Sequence, residues 1–240
     1  MAEDNIKNKE SPILLGVIPA RSGSKGIKNK NLRTVLNRPL IYYTIKDALS
    51  YNKIYKTIVT TDSLEIAEVA KKYGAEVPFL RPKKLAKDNT PMLEVLKHAL
   101  IKCEQLYSIK IKGIMLLDPT SPLRRRGDIK AMINIFLKKK PDLVIAVSQS
   151  KRNPYYSMLE INKNGYAQLV LRGNYIRRQD IPPIYDITNN CWIFSRRAIL
   201  RSSRIPPKTI PYEINGFHVD IDKEDDLKIF EWFLKSGEEI

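Results

Sequence analysis

The chain has 240 residues, of which 43% are hydrophobic, and its formal net charge is +16. This length suits one domain of ordinary size, and no apolar run approaches the roughly 20 residues that span a bilayer. The polar N-terminus lacks the apolar segment of a secretory signal. We therefore expect a cytoplasmic protein with no membrane partner and a disordered lead over residues 1–12.

Up to residue 147, short apolar runs alternate with amphipathic segments. The predicted strands cover residues 13–18, 56–60, 75–80, 113–117 and 143–147. The predicted helices between them cover about 39–51, 65–74, 92–107 and 128–138. This repeated strand–helix unit predicts an α/β fold with a mostly parallel sheet and helices on both faces.

The pattern changes after residue 147. Two extended segments within 154–170 flank Asn164-Gly165, a strong hairpin turn signal, and residues 172–183 are irregular and basic. Strands at 190–194 and 217–222, a short helix at 196–201 and a C-terminal helix from about Lys223 complete the chain. We predict a single domain over 13–240, with residues 151–184 as an excursion from it.

The loop after the first strand combines positive charge with backbone freedom. Its residues suited to bind an anion are Arg21, Ser22, Gly23, Ser24, Lys25, Gly26 and Lys30. Glycines let successive N–H groups converge on a phosphate, and ligands of open parallel sheets bind beyond the carboxyl ends of the strands. The loop lacks the spacings of a P-loop and of a dinucleotide fingerprint. It favours phosphate binding over a plain surface loop.

A second candidate site lies at residues 218–222. In a strand, Asp220 and Asp222 would point to the same face about 6–7 Å apart, and two converging carboxylates need a cation or a basic group to neutralise them. Magnesium, which prefers hard oxygen ligands, is one such cation. The alternative is that Asp222 caps the last helix and Asp220 is a solvated edge residue.

The positive charge also raises the alternative of nucleic-acid binding. The basic residues, however, recur in clusters along the whole chain, and the aromatic residues form no base-stacking motif. Such a spread is compatible with a pocket for an anionic small molecule on a generally basic surface. We therefore expect no nucleic-acid partner.

Six segments, in this order, resemble the signatures of the acylneuraminate cytidylyltransferases, also called CMP-sialic acid synthetases. They are 18–32 (IPARSGSKGIKNKNL), 60–62 (TTD), 80–88 (LRPKKLAKD), 117–124 (LDPTSPLR), 178–180 (RQD) and 220–222 (DID). The resemblance covers about residues 13–234. A single such motif is weak, but six in order are specific.

The resemblance implies a Rossmann-like nucleotidyltransferase fold and a homodimer built partly by the excursion. The implied reaction joins CTP to a nine-carbon α-keto sugar acid, giving a CMP-sugar and pyrophosphate, with Mg²⁺ as cofactor. Residues that match nucleotide-binding positions are Ala20, Arg21, Ser22, Gly23, Ser24, Lys25, Asn31 and Arg81. Catalytic roles fall on Arg21, Lys25, Lys30 and Asp220, the metal ligands are Asp220 and Asp222, and the sugar site includes Asp118, Arg178, Gln179 and Asn189.

Two departures from the pattern concern the sugar. Family members that activate sialic acid usually have Gln where this chain has Asp118, and aspartate there resembles the branch that activates legionaminic acid. The family commonly has Asn-Gly or Asn-Ala where this chain has Asn189-Asn190. Pseudaminic acid or another keto-sugar acid is the alternative substrate, and an inactive scaffold with the same fold is a third reading.

Overall fold

The computed structural model describes residues 14–23, 26–175 and 177–237. Ser24, Lys25 and the side chain of Arg178, all of which the sequence analysis assigns to the site, lie outside that description. The predicted N-terminal lead lies outside it as well.

A mixed but mostly parallel sheet forms the centre of the molecule. The described strands, in chain order, are β1 (Leu14–Pro19), β2 (Thr34–Val35), β3 (Arg38–Pro39), β4 (Ile54–Thr60), β5 (Gly113–Leu116), β6 (Leu143–Gln149), β7 (Leu159–Ile161), β8 (Ala167–Leu169), β9 (Tyr185–Ser195) and β10 (Thr209–Glu213). Among these, six form the main sheet in the spatial order β10, β6, β9, β5, β1, β4. Strand β9 runs antiparallel to both neighbours and the other pairings are parallel, which confirms the predicted fold class.

Helices cover both faces of the sheet, as predicted. They are α1 (Leu40–Leu49), α2 (Leu64–Lys72), α3 (Met92–Tyr107), α4 (Arg126–Lys139), α5 (Arg196–Leu200) and α6 (Glu224–Ser236). Side chains alternate along a strand, so Leu14 and Ile18 of β1 pack with α1, α2 and α4. Leu15 and Val17 of the same strand pack with α3 and α5 on the opposite face. The burial of both faces explains why these strands are almost continuously apolar.

A third apolar cluster joins the basic loop to the C-terminal part of the chain. Ile27 of the loop packs in one cluster with Val219 and Ile221 and with Phe230 and Phe233 of α6. The first turn of α6 is closed by Asp226, whose carboxylate accepts hydrogen bonds from the backbone N–H groups of Asp222 and Lys223. The side-chain cap is therefore Asp226, and the interpretation of Asp222 as the cap is wrong.

Two strand predictions are wrong. Residues 75–80 contribute a single bridge, between Glu76 and Ile58. Residues 217–222 form no strand; this segment lies across the 118–124 loop, where the Ile221 N–H donates to the Thr120 carbonyl at 2.7 Å. The edge of the sheet beside β6 is taken instead by β10 (Thr209–Glu213), which the sequence analysis missed.

The predicted excursion contains the predicted hairpin. Strands β7 and β8 pair antiparallel, and Gly165 between them has a φ of 83°, a backbone conformation that favours glycine. The hairpin exposes apolar side chains, including Leu159 (64%), Ile161 (76%) and Tyr166 (72%).

Within the described ranges, every helix is too short or too polar to cross a lipid bilayer.

Candidate active site

A polar cavity of about 310 Å³ lies at the carboxyl ends of β1 and β5. The chain crosses from β1 to β4 on one side and then to β5 on the other, so this is the switch point at which α/β sheets bind ligands. The residues around it are mostly basic or polar: Pro19, Arg21, Gly26, Lys30, Asn31, Arg81, Met92, Asp118, Thr120 and Asp222. The structure thus brings together seven residues that the sequence analysis assigned to the site: Arg21, Gly26, Lys30, Asn31, Arg81, Asp118 and Asp222.

The basic loop and the 221–222 segment form one wall of this cavity. The Lys30 ammonium, which is largely buried, donates to the Ile221 carbonyl at 2.6 Å and to the Asp222 carboxylate at 2.9 Å. Gly26 lies against the same segment, and a Cβ on it would overlap the Asp222 carbonyl oxygen. The close approach of two backbones therefore requires glycine at position 26.

Side chains from neighbouring loops hold the start of the basic loop. Asp62 accepts hydrogen bonds from the Ser22 N–H at 3.0 Å and from the Ser22 hydroxyl at 2.8 Å. Burial opposes ionisation of Asp62, but these bonds outweigh it and lower its pKa. Arg21 forms an ion pair with Asp88 at 2.5 Å, and Asn31 donates to the Arg21 carbonyl at 3.2 Å. The loop backbone is thus fixed by its surroundings.

Arg81 is a buried cation at the cavity wall. It is only 5% exposed, and its guanidinium donates to the Thr60 and Leu85 carbonyls. Burial lowers the pKa of Arg81 to about 10, so the side chain stays charged at neutral pH. Its buried Nε has no hydrogen-bond partner among the described residues. Because this atom is itself buried, Arg81 offers the cavity its positive charge and no free Nε donor.

Two aspartates, Asp118 and Asp222, line the cavity, whereas Asp220, on the same segment as Asp222, lines neither cavity. Asp118 accepts from the Thr120 N–H at 3.0 Å and hydroxyl at 2.9 Å. Burial, with a smaller contribution from the charge of Asp220, raises the pKa of Asp118. Asp220 accepts from the Ser121 hydroxyl and from the Asn189 amide. Among the described residues no cluster of three or more His, Cys, Asp or Glu side chains is arranged to hold a metal.

A second cavity, of about 410 Å³, adjoins the first. Met92 and Asp118 line both cavities, so the two form one cleft. The second cavity is mainly apolar, with Leu116 of β5 and Trp192 of β9 in its wall, and its polar residues are Asp118, Asn189 and Arg204. The sequence analysis did not find Met92, Trp192 or Arg204, because a helix start, a core strand and a scattered surface arginine carry no motif.

Some of the predicted site residues that the structure describes line neither cavity; they are Ala20, Ser22, Gly23, Gln179 and Asp220. Gln179 is exposed on a 3₁₀ turn of the excursion, and it lines neither cavity. Ala20 is fully buried, with its N–H bonded to the Thr60 carbonyl at 3.0 Å. The neighbouring Gly23 is exposed.

Buried Arg124 holds the two strands that supply the second cavity. Its guanidinium donates to the carbonyls of Asp118 and Asn190 and to the Thr44 hydroxyl of α1. Asp47 lies 4.0 Å away, and one oxygen of that buried carboxylate has no hydrogen-bond partner among the described residues. Arg124 therefore fixes the backbone of Asp118 and neutralises Asp47.

We expect Arg124→Met to lower the free energy of unfolding by about 3–5 kcal/mol, because it leaves the Asp47 carboxylate buried without its counter-charge. Urea unfolding followed by circular dichroism measures this. Arg125→Met is the matched control, since Arg125 is exposed and makes one long hydrogen bond, to the Asn215 carbonyl at 3.4 Å. Equal losses in the two variants would contradict the role of Arg124.

The fold is an α/β sheet with a basic, glycine-bearing loop after the first strand, and a second pocket lies beside the cavity that this loop lines. The family model described as Cytidylyltransferase matches residues 15–225, and the chain belongs to this family.

Among its relatives, the post-translational flagellin modification protein B of Campylobacter coli is 36% identical over 92% of this chain and 95% of its own length. The CMP-N,N'-diacetyllegionaminic acid synthase of Campylobacter jejuni subsp. jejuni serotype O:2 is 38% identical over 92% of this chain and 94% of its own length. A solved structure of CMP:2-keto-3-deoxy-manno-octonic acid synthetase complexed with CTP superposes with a TM-score of 0.68, at 14% identity, over 93% of this chain and 99% of its own.

Proposed function

We propose that the protein transfers the CMP group of CTP to a nonulosonic acid of the legionaminic or sialic type, releasing pyrophosphate. The observation that carries this proposal is the cleft, in which a basic cavity of about 310 Å³ and a mainly apolar cavity of about 410 Å³ share Met92 and Asp118. Two substrates bound side by side would meet at these shared residues. The similarity to a CMP-N,N'-diacetyllegionaminic acid synthase over 92% of the chain supports the sugar class.

In this proposal the basic cavity takes the nucleotide. Arg21 and Lys30 stabilise charge on the departing pyrophosphate, and the buried positive charge of Arg81 favours an anionic nucleotide in the cavity. Lys25, outside the described residues, is assigned to the same phosphates by the family motif. The anomeric hydroxyl of the sugar attacks the α-phosphorus in line with the leaving group. Such a transfer depends on positioning and electrostatics and needs no covalent nucleophile.

We propose that Mg²⁺ is held chiefly by Asp220. The described hydrogen-bond partners of this carboxylate are the neutral hydroxyl of Ser121 and the neutral amide of Asn189, so its charge lacks a neutralising contact. Asp222, in contrast, is paired with the Lys30 ammonium. A carboxylate oxygen beside bound phosphates is a usual arrangement for Mg²⁺, which neutralises charge on the transferring phosphates when bound. Asp222 orients Lys30 and is the second candidate ligand.

The experiment that tests the function is pyrophosphate release from each nucleoside triphosphate with and without a sugar acid. We expect release from CTP only, and only with Mg²⁺ and a nonulosonic acid present. N-acetylneuraminic, N,N'-diacetyllegionaminic and pseudaminic acids are the sugars to compare, with the legionaminic acid turned over fastest. No turnover with any of the three would overturn the proposal. Binding of a nucleic acid without any turnover would instead favour the alternative that this basic chain is a nucleic-acid-binding protein.

We further propose a homodimer formed through the excursion, with the reaction in the cytoplasm where CTP is made. The β7–β8 hairpin exposes the apolar side chains of Leu159, Ile161 and Tyr166, and exposed apolar patches mark protein–protein interaction sites. In such a dimer, Arg178 and Gln179 of one copy could reach the cleft of the other copy. These predicted sugar-site residues would then contact the sugar bound there. The product, a CMP-activated acidic sugar, would serve cell-surface glycan synthesis.

We expect Ile161→Asp to convert the dimer to a monomer, because a charge at a residue that is 76% exposed would become buried in the interface. Sedimentation velocity measures the change. Leu64→Asp, at the first residue of α2 and 67% exposed, is the control that should leave the dimer intact. A monomeric parent protein, or dissociation of both variants alike, would contradict this interface.

A further inference from the structure

Arg204 is a cation in the wall of the apolar cavity. Its guanidinium lies over the Trp192 ring, 5.9 Å from the ring centroid. Trp192 is itself fixed, because its indole N–H donates to the Thr188 carbonyl at 2.7 Å. No ion pair among the described residues includes Arg204. The stacked guanidinium thus keeps its N–H donors for a ligand.

The position of Arg204 determines which part of a sugar it would contact. Arg204 lines only the apolar cavity, whereas Met92 and Asp118 line both cavities. In a 2-keto sugar acid the carboxylate is bonded to the anomeric carbon, which reacts with the nucleotide. That carboxylate therefore stays near the shared residues. Arg204 is left to face the other end of the sugar, together with the apolar side chains of the cavity.

An apolar wall with one stacked guanidinium suits an acylamido group. Its carbonyl oxygen accepts from the guanidinium, and its methyl group contacts apolar side chains such as those of Leu96 and Phe194, which also line the cavity. A free amine at the same position is an ammonium at neutral pH. It would bring a second positive charge against Arg204 in a site with few polar partners.

We infer that Arg204, supported by Trp192, is a specificity-determining residue that reads an N-acyl group of the sugar and rejects the corresponding free amine. This inference rests on the proposed function and extends it from the substrate class to the substituent that is recognised. It assigns Arg204 a role in the choice of sugar and none in the binding of CTP.

The test compares kcat/KM for a diacetamido nonulosonic acid with kcat/KM for its two mono-de-N-acetylated forms. Assays at about pH 6.5 keep amines of ordinary pKa protonated. For one of the two amines we expect the parent enzyme to prefer the acetylated sugar by about a hundredfold or more, the scale of a juxtaposed like charge. Arg204→Glu should reduce that preference by at least about tenfold, since it replaces repulsion of the ammonium by attraction.

The controls separate this inference from the proposed function. Arg201→Glu makes the same charge change at an exposed residue that lines neither cavity, and it should leave the preference unchanged. The KM for CTP should be unaltered in both variants. If the parent protein does not turn over the diacetamido sugar, the proposed function fails. If it does, and Arg204→Glu leaves both preferences as they were, the role of Arg204 is overturned while the proposed function stands.

Discussion

Asp220→Asn is expected to lower kcat by about 10²–10³-fold, the loss typical of removing one electrostatic contact to a transition state. The substitution keeps the shape of the side chain and leaves an amide that still bonds to Ser121. It removes the negative charge of Asp220. The described hydrogen bonds to this carboxylate come only from neutral groups, the Ser121 hydroxyl and the Asn189 amide. Pyrophosphate release measured over a range of Mg²⁺ concentrations should show a higher metal requirement together with the lower rate.

Two other aspartates provide the comparison for Asp220. Asp225→Asn, in the first turn of α6 and paired with Lys228 at 2.8 Å, should retain parental turnover. Asp222→Asn should have an intermediate effect, because Asp222 is paired with Lys30. Near-normal turnover of Asp220→Asn, with its fold verified by circular dichroism, would remove Asp220 from the reaction.

Gly26→Ala should abolish most activity although it adds a single methyl group. That group would overlap the Asp222 carbonyl, so either the basic loop or the 221–222 segment must move away from the other. Overpacking of this kind costs about 1–3 kcal/mol of stability, and a displacement of about 1 Å at a reacting site costs about 10²-fold in rate. Steady-state kinetics and thermal unfolding measure the two effects.

Gly127→Ala is the matched control for Gly26→Ala. Gly127 lies in the first turn of α4, and nothing is within 4 Å of a Cβ placed on it. Alanine is the better helix former by up to about 1 kcal/mol, so this variant should be as stable as the parent or more so, and fully active. Equal activity of the two alanine variants would show that the loop and the segment do not need this close contact.

The strands of the sheet centre were predictable because both of their faces are buried. Strands β1, β5 and β6 are short apolar runs, and each lies within about a residue or two of its predicted position. Strand β10 was not predictable in the same way. Its residues are mixed in exposure and include Pro211, which is typical of an edge strand and is a weak strand signal.

Residues 217–222, wrongly predicted as a strand, show that alternating apolar and polar residues indicate which side chains are buried but do not prove a strand. Val219 and Ile221 are buried while Asp220 and Asp222 are exposed, so the alternation was interpreted correctly. Burial there comes from α6 and the basic loop, and no neighbouring strand supplies a ladder of hydrogen bonds. Periodicity reports which side chains face an apolar surface, and it does not report what forms that surface.

Motifs revealed one half of the candidate site and missed the other. The basic loop, Arg81 and the aspartates occur in sequence patterns, and the structure brings most of them to one cavity. Arg204 follows α5 and lies over Trp192 of β9, a tertiary contact that no sequence motif indicates. Arg124 was interpreted only as the end of a motif, and its contacts to Thr44 and Asn190 depend on tertiary structure.

The position of β9 also has a consequence during synthesis of the chain. Strands β5 and β6 do not pair with each other, and β9 (Tyr185–Ser195) fills the space between them. A nascent chain that has left the ribosome only as far as β6 therefore holds one piece of sheet (β4, β1 and β5) with an unpaired edge on β5, and β6 has neither of its partners. Open edges of this kind invite wrong pairing. The sheet becomes continuous only after Ser195 has emerged, so this protein completes its core late in translation.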